Sequence, residues 1–131
     1  MSGERIMVVC EHPALRDEIA QLIEDHGLES FPAADGIDAL RQIYHIRPQV
    51  IVSDAALSQL SGFNFLPFVR RRFPSAGVIS LGNSEVVHHD GPVADMTLPK
   101  DPWNPERFIG HVQQLLAQWP LRSEMQESDC A

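Results

Sequence analysis

The chain has 131 residues, enough for one domain with its own hydrophobic core. Its composition, 44% hydrophobic and 21% charged residues, is that of an ordinary globular protein and excludes the disordered classes. Its net charge of −8 disfavours binding to nucleic acid or to an anionic membrane, because both require a basic protein surface.

The first half of the chain alternates short apolar runs with helical patterns. Pro13 suits the first turn of a helix, Gly27 suits the position just after one, and the residue before Pro48 avoids helical angles. The predicted elements are a strand over 6–10, a helix from Pro13 to Gly27, a weaker strand over 28–32, a helix from the turn at 35–36 to Arg47, and a strand over 50–54.

The second half continues this alternation after a loop over 55–62. A third helix carries apolar residues at helical spacing from Phe65 to Phe73, and Pro67 within it predicts a late start or a bend. Strands are predicted over 78–81 and 94–98. The last helix begins at Pro105 and ends at Pro120, so residues 121–131 are predicted to be frayed or to form a linker.

Strands that alternate with helices predict an α/β sandwich with a parallel sheet. In such sheets, binding sites lie outside the carboxyl ends of the strands, at the point where the strand order reverses. The predicted strands end at Cys10 and Glu11, at Asp54, at Gly82 and close to Lys100. Two carboxylates and one ammonium group are therefore expected to meet at one edge of the sheet.

The cysteines and the apolar segments indicate the compartment. Cys10 and Cys130 lie at opposite ends of the chain, without the spacing of a disulfide framework or a zinc site. The apolar segments are too short for a signal peptide or a membrane span. We therefore expect a cytoplasmic protein with reduced cysteines and no membrane contact.

The chain resembles the response-regulator receiver domains of two-component signalling, from about Arg5 to about Trp119. The stretches that carry the resemblance are 6–16, 33–40, 47–54, 60–63 and 98–100. This resemblance implies a flavodoxin-like, CheY-like three-layer sandwich with a five-stranded parallel sheet in the order 2-1-3-4-5. It also implies a receiver domain over residues 4–119, followed by a polar tail or linker over 120–131.

The same resemblance implies a phosphoryl-transfer site, in a signalling domain that is not itself an enzyme. Asp54 matches the residue that accepts the phosphoryl group from a histidine kinase or a phosphotransfer protein. Lys100 matches the lysine that neutralises the phosphoryl oxygens. Glu11, Asp54 and the backbone carbonyl of Ala56 match the ligands of Mg²⁺, which prefers oxygen donors. A downstream protein or a fused output domain would then read the phosphorylated state.

Several positions depart from the family pattern. Cys10 replaces the first acid of the metal-binding pair, which predicts weak binding of Mg²⁺. Gly82 replaces the usual Ser or Thr hydroxyl, and Thr97 replaces the usual switch aromatic, so both parts that normally transmit phosphorylation are missing. The segment 82–100 is short, which predicts that the helix between the fourth and fifth strands is shortened or absent.

Two further interpretations remain open at this point. The fold could serve as a pseudo-receiver, a protein-interaction module that partners recognise whatever its phosphorylation state. The chain could also be a thiol-dependent or nucleotide-binding enzyme of another α/β class. Against the enzyme, no phosphate-binding glycine motif follows the first strand, and no serine nucleophile motif is present.

Overall fold

The computed structural model describes residues 4–54, 62–82, 87–88, 91–92, 94–100 and 103–130. Helices alternate with the first four strands, as predicted. The elements are β1 (Arg5–Val9), α1 (Pro13–Asp25), β2 (Glu29–Ala33), α2 (Gly36–Ile46), β3 (Val50–Asp54), α3 (Gly62–Arg72), β4 (Gly77–Leu81), β5 (Val87–His88), β6 (Gly91–Pro92), β7 (Met96–Leu98) and α4 (Pro105–Cys130).

Five strands form one parallel sheet in the order β2-β1-β3-β4-β7. This is the predicted order 2-1-3-4-5, with β7 as its fifth strand. The chain leaves β1 toward one edge and returns to build the other edge from β3, so the strand order reverses between β1 and β3. A crevice therefore opens where these two strands end.

The sheet is covered on both faces, which explains the continuous apolar runs of its central strands. On one face Ile6, Val52 and Ile79 pack with Ile19 of α1 and Phe108 of α4. The opposite face packs in the same way against α2 and α3, and its buried residues include Met7, Ile51, Val78, Ile43, Phe65 and Val69. The domain is thus a three-layer α/β sandwich.

The segment between β4 and β7 departs from regular βα alternation. Its described residues form the antiparallel pair β5–β6 rather than a helix, which agrees with the prediction of a shortened or absent helix. Asp95 then ties the last strand to the sheet. Its backbone N–H donates to Val78 O at 2.8 Å, its carboxylate accepts from Val78 N at 2.8 Å, and it pairs with Arg70 of α3 at 3.1 Å.

The structure corrects two expectations that were based on prolines. The helix α3 begins at Gly62, five residues before Pro67, so the late start is wrong and the bend at Pro67 stays a prediction. The helix α4 continues through Pro120 to Cys130, although we predicted its end at Pro120. A proline removes one backbone donor and crowds the preceding turn, but good helix formers such as Leu121, Glu124 and Met125 favour continuation on its far side. Among the described residues, no helix is long and apolar enough to cross a lipid bilayer.

Candidate functional site

Three of the predicted site residues, Cys10, Asp54 and Lys100, meet at the carboxyl end of the sheet. Asp54 is the last residue of β3, and the β1–β3 register pairs Val9 with Ser53, so Cys10 lies beside Asp54 at the reversal point. Lys100 reaches the same place from the segment after β7. Three regions far apart in sequence therefore meet because parallel strands all end at the same edge.

Asp54 and Lys100 form a close ion pair. The Lys100 Nζ atom lies 3.1 Å from Asp54 Oδ1 and 3.1 Å from Asp54 Oδ2, so the ammonium group sits centrally across the carboxylate. Asp54 is only 2% exposed, whereas the Lys100 side chain is 30% exposed. The carboxylate is thus the buried partner of the pair, and the ammonium group is the partner that solvent reaches.

Cys10 and Glu11 follow β1 at the rim of the crevice. Cys10 is fully buried, and its thiol lies 3.7 Å from His12 O. Burial raises the pKa of the Cys10 thiol, and the negative charge of Asp54 raises it further, so the side chain is a neutral thiol at physiological pH. Glu11 is half-buried and makes a contact of its own. Residue 10 therefore adds no negative charge to the site.

Arg16 has a positioning role that the sequence analysis did not identify. Its Nη1 atom donates to Cys10 O at 2.9 Å and so fixes the chain just after β1. Arg16 lies one turn into α1, from where a long side chain reaches back to the end of the preceding strand. An arginine three residues after Pro13, in the first turn of the predicted helix, is the sequence feature that could have indicated this role.

A row of hydroxyl groups crosses the sheet next to the site. Ser53, Ser80 and Thr97 are neighbours in the β3–β4–β7 register and therefore share the α2–α3 face. Ser80 is fully buried, and its Oγ has no hydrogen-bond partner in the part of the chain that is described. Gly82 follows at the end of β4, and its N–H donates to Leu98 O at 2.9 Å. Gly82 therefore follows the strand next to β3 and brings no side-chain hydroxyl, and Thr97 lies on the edge strand β7 and brings no aromatic ring.

The metal-binding prediction is covered only in part by the structure. Ala56, the expected carbonyl ligand, lies outside the described residues. Within those residues, no three His, Cys, Asp or Glu side chains form a group that could hold a metal ion by themselves. The described part of the chain thus offers a divalent ion fewer than three such side chains at this place.

Comparison with known proteins gives the family. The family model for the response regulator receiver domain matches residues 6–98. The nitrogen assimilation regulatory protein NtrX of Azorhizobium caulinodans is 28% identical over 127 residues, which cover 93% of this chain and 28% of that protein. The response regulator Rre1 of Synechocystis is 27% identical over 128 residues, which cover 91% of this chain and 54% of that protein.

The fold has close counterparts among solved structures. The response regulator protein TrrA from Thermotoga maritima, solved in complex with Mg²⁺ and BeF, superposes with a TM-score of 0.75 at 23% identity. The match covers 86% of this chain and 98% of that one. By contrast, the chain spans less than a third of NtrX. Taken with the buried aspartate at the strand-order reversal, these findings show that the chain belongs to the response regulator receiver domains of two-component phosphorelay signalling.

Proposed function

We propose that Asp54 accepts a phosphoryl group from a phosphohistidine of a histidine kinase or a phosphotransfer protein. The observation that carries this proposal is the placement of Lys100 Nζ at 3.1 Å from both carboxylate oxygens of a 2% exposed aspartate. An aspartate that merely capped a loop would be solvated and would need no cation across both oxygens. Here the nucleophile and the group that neutralises developing charge are already held together.

The transfer is a simple displacement at phosphorus. One oxygen of Asp54 forms a P–O bond while the P–N bond to the imidazole breaks, and the imidazole nitrogen keeps the electron pair of that bond. The second ring nitrogen of the phosphohistidine is protonated before the transfer, so the imidazole leaves as a neutral ring. The other product is an acyl phosphate on Asp54. Lys100 moves from the carboxylate to the phosphoryl oxygens, which its flexible stem and compact charge allow.

The residues present fit a magnesium ion through oxygen donors. The carboxylates of Glu11 and Asp54 are hard ligands of the kind that Mg²⁺ takes, with water completing its shell. When bound, the ion supplies positive charge next to the phosphoryl oxygens. The neutral thiol of Cys10 contributes no such ligand, so we expect weak binding. The Mg²⁺ and BeF bound to TrrA support this assignment for the family's site.

Intact mass after incubation with acetyl phosphate and Mg²⁺ tests the assignment. We expect a mass increase of one phosphoryl group in the unmodified chain and none in Asp54→Asn, which keeps the shape of the side chain but removes the nucleophile. Asp35→Asn, at the helix cap of α2, is the matched control and should still be modified. An equal mass increase in Asp54→Asn would disprove the role of Asp54.

The output of this domain belongs to the same proposal. A kinase or phosphotransfer protein would supply the phosphoryl group, and a downstream protein or a fused output domain would respond to it. We propose that the domain signals in the cytoplasm and has no separate enzymatic activity. The acidic net charge of −8 supports protein partners rather than nucleic acid for this domain.

A second candidate function is a phosphorylation-independent interaction module. The observation that favours it is the loss of the transmitting parts: Gly82 has no hydroxyl, Thr97 has no ring, and the segment after β4 contains the β5–β6 pair. Phosphorylation of Asp54 would then change little beyond the site itself.

Amide chemical shifts in the presence of beryllofluoride and Mg²⁺ separate the two functions. A working receiver should show shifts at Asp54 and also at Met96 and Thr97 on the edge strand. Shifts limited to the residues around Asp54 would favour the interaction module. Asp54→Asn, which cannot coordinate beryllofluoride, provides the baseline.

A further inference from the structure

A second concave site lies at the opposite end of the sheet from Asp54. A cavity of about 260 Å³ opens between the ends of α2 and α3 and the side of α4. Two of its lining residues lie just before the amino ends of strands: Pro48 is two residues before β3, and Ala76 directly precedes β4. Each of these strands has five residues and spans about 17 Å, so the cavity is separate from the phosphoryl-transfer site.

Aromatic rings from three parts of the chain enclose the cavity. Tyr44 comes from α2, Phe73 follows α3, and Trp119 lies on α4. Tyr44 and Phe73 pack edge to face with their ring centroids 5.4 Å apart, yet Tyr44 remains 46% exposed. An exposed ring that is already held in place presents a flat apolar surface at little entropic cost on binding.

Two guanidinium groups border the same rings. Arg72 lies over the Tyr44 ring, with its Cζ atom 5.6 Å from the ring centroid, and Arg47 lines the cavity from the end of α2. Both arginines are exposed, and neither forms an ion pair with any residue that the structure describes. None of the described lining residues is acidic, although the chain has 18 Asp and Glu against 10 Lys and Arg.

This combination defines a class of ligand. Arginine binds carboxylate and phosphate groups in a bidentate manner, and aromatic side chains stack against planar rings. The volume lies just below the range of roughly 300–1,000 Å³ that holds drug-sized ligands, so one ring system with one charged group would fill it. A long peptide or a nucleic acid strand would instead need an extended groove and, for the strand, a basic surface.

We propose that this cavity binds a small aromatic anion, a planar ring system that carries a phosphate or a carboxylate. The ring lies among Tyr44, Phe73 and Trp119, and the anionic group pairs with Arg47 and Arg72. The site does not depend on phosphorylation of Asp54, because the two lie at opposite ends of the sheet.

Calorimetric titration of the full chain tests this proposal with defined probes. The anionic probes are GMP and AMP, which carry phosphate, and indole-3-acetate, which carries a carboxylate. Guanosine supplies a ring system without an anionic group, and inorganic phosphate supplies the anion without a ring. We expect at least one anionic probe to bind ten times more tightly than guanosine or inorganic phosphate. The anionic probe that binds most tightly shows whether the site prefers a phosphate or a carboxylate.

Charge variants then locate the bound anion. Arg72→Gln should weaken binding at least tenfold, because it removes one guanidinium that the anion contacts. Arg71→Gln is the matched control, since Arg71 is its exposed neighbour on α3, carries the same charge and does not line the cavity. It should change the affinity by less than twofold, and Asp54→Asn should leave it unchanged.

Fluorescence gives an independent readout of the same site. In a Trp103→Phe background only Trp119 emits, and a ring stacked in the cavity should quench it. The proposal is overturned if no anionic probe binds at millimolar concentration, if inorganic phosphate binds as tightly as the mononucleotides, or if Arg71→Gln and Arg72→Gln weaken binding equally. Binding of an acidic aromatic peptide, with no binding of the small anions, would also overturn it.

Discussion

The two ends of the parallel sheet handle charge in opposite ways. At the carboxyl end, the buried Asp54 carboxylate has an ammonium group across both of its oxygens. At the amino end, Arg47 and Arg72 are exposed beside aromatic rings, and no described carboxylate pairs with either of them. One end holds a completed ion pair, and the other presents cations ready for an anion.

This difference shows that a charged side chain depends on an oppositely charged partner only where it is buried. A buried carboxylate requires its cation, because leaving one charge unpaired in a low-dielectric site is costly. An exposed arginine has no such requirement, since water solvates it. Substitutions at the carboxyl end should therefore act on stability and chemistry together, whereas those among the exposed arginines should act on binding alone.

The largest effect is expected for Lys100→Met, which removes the cation but keeps the length of the side chain. Asp54 would remain buried without its ammonium partner, so we expect a loss of about 3 kcal/mol in the free energy of unfolding. Urea denaturation at pH 7 measures it. Asp54→Asn should cost less, because the 30% exposed Lys100 side chain can turn to water. Equal losses in both variants would contradict the asymmetry of the pair.

At the amino end, Gly77→Ala tests packing rather than charge. A Cβ atom on Gly77 would lie 2.9 Å from Leu115 Cβ on α4, closer than van der Waals contact allows. We expect a destabilisation of about 2 kcal/mol from this overpacking. Gly110→Ala on the same helix meets no atom within 4 Å and should stabilise the protein by about 0.5–1 kcal/mol. A neutral result for Gly77→Ala would show that β4 and α4 can move apart.

Residue 10 offers a smaller and more specific test at the carboxyl end. Cys10→Asp places a carboxylate where the buried neutral thiol now lies beside Asp54. We expect Mg²⁺ affinity to rise about tenfold, because a carboxylate behind the direct ligands orients the water molecules on the ion and adds negative charge. Calorimetric titration measures the change, and Cys10→Asn, which is similar in shape but uncharged, should leave the affinity unaltered. Equal affinities for the Asp and Asn variants would place residue 10 outside the metal site.

The smallest effect is expected at the start of α2. The backbone N–H of Ala34 donates to the Asp38 carboxylate at 3.0 Å, and with the Gln42 amide it lowers the pKa of Asp38. A carboxyl group whose pKa is lower in the folded than in the unfolded state stabilises the fold at pH values above its unfolded-state pKa. This stabilisation is lost as the pH falls through the folded-state pKa. Asp38→Asn should therefore cost only about a few tenths of a kcal/mol at pH 7, and this cost should shrink as the solution is made acidic. Denaturation at pH 7 and at acidic pH, with the exposed Asp17→Asn as control, measures this difference.

The sheet and its central strands could be predicted because their signals are local. Residues 50–54 are almost entirely apolar up to Asp54, and such runs occur where a strand is buried on both faces. Pro13 and the Arg47–Pro48 pair marked helix boundaries through backbone constraints that need no tertiary information. The positions of Asp54, Glu11 and Lys100 near strand ends followed from the same reasoning.

The prolines inside helices show where local reasoning failed. Pro67 was predicted to delay the start of its helix or to bend it, and Pro120 was predicted to end one. Instead, α3 begins five residues before Pro67, and α4 continues past Pro120. Around Pro67, Phe65, Leu66 and Val69 are almost fully buried against the sheet, and this packing outweighs the loss of one backbone hydrogen bond. Local propensity is a weak signal when an amphipathic face is buried.

Local patterns were enough to place the strands of the main sheet and the helices along the chain and to identify the residues at the strand ends, because apolar periodicity and proline geometry act over a few residues. The position of Lys100 across both oxygens of Asp54, and that of Arg72 over Tyr44 beside an aromatic cavity, became apparent only in the folded chain. These contacts join residues that are 46 and 28 positions apart in the chain. Their geometry depends on how the sheet and helices pack, which no local pattern encodes.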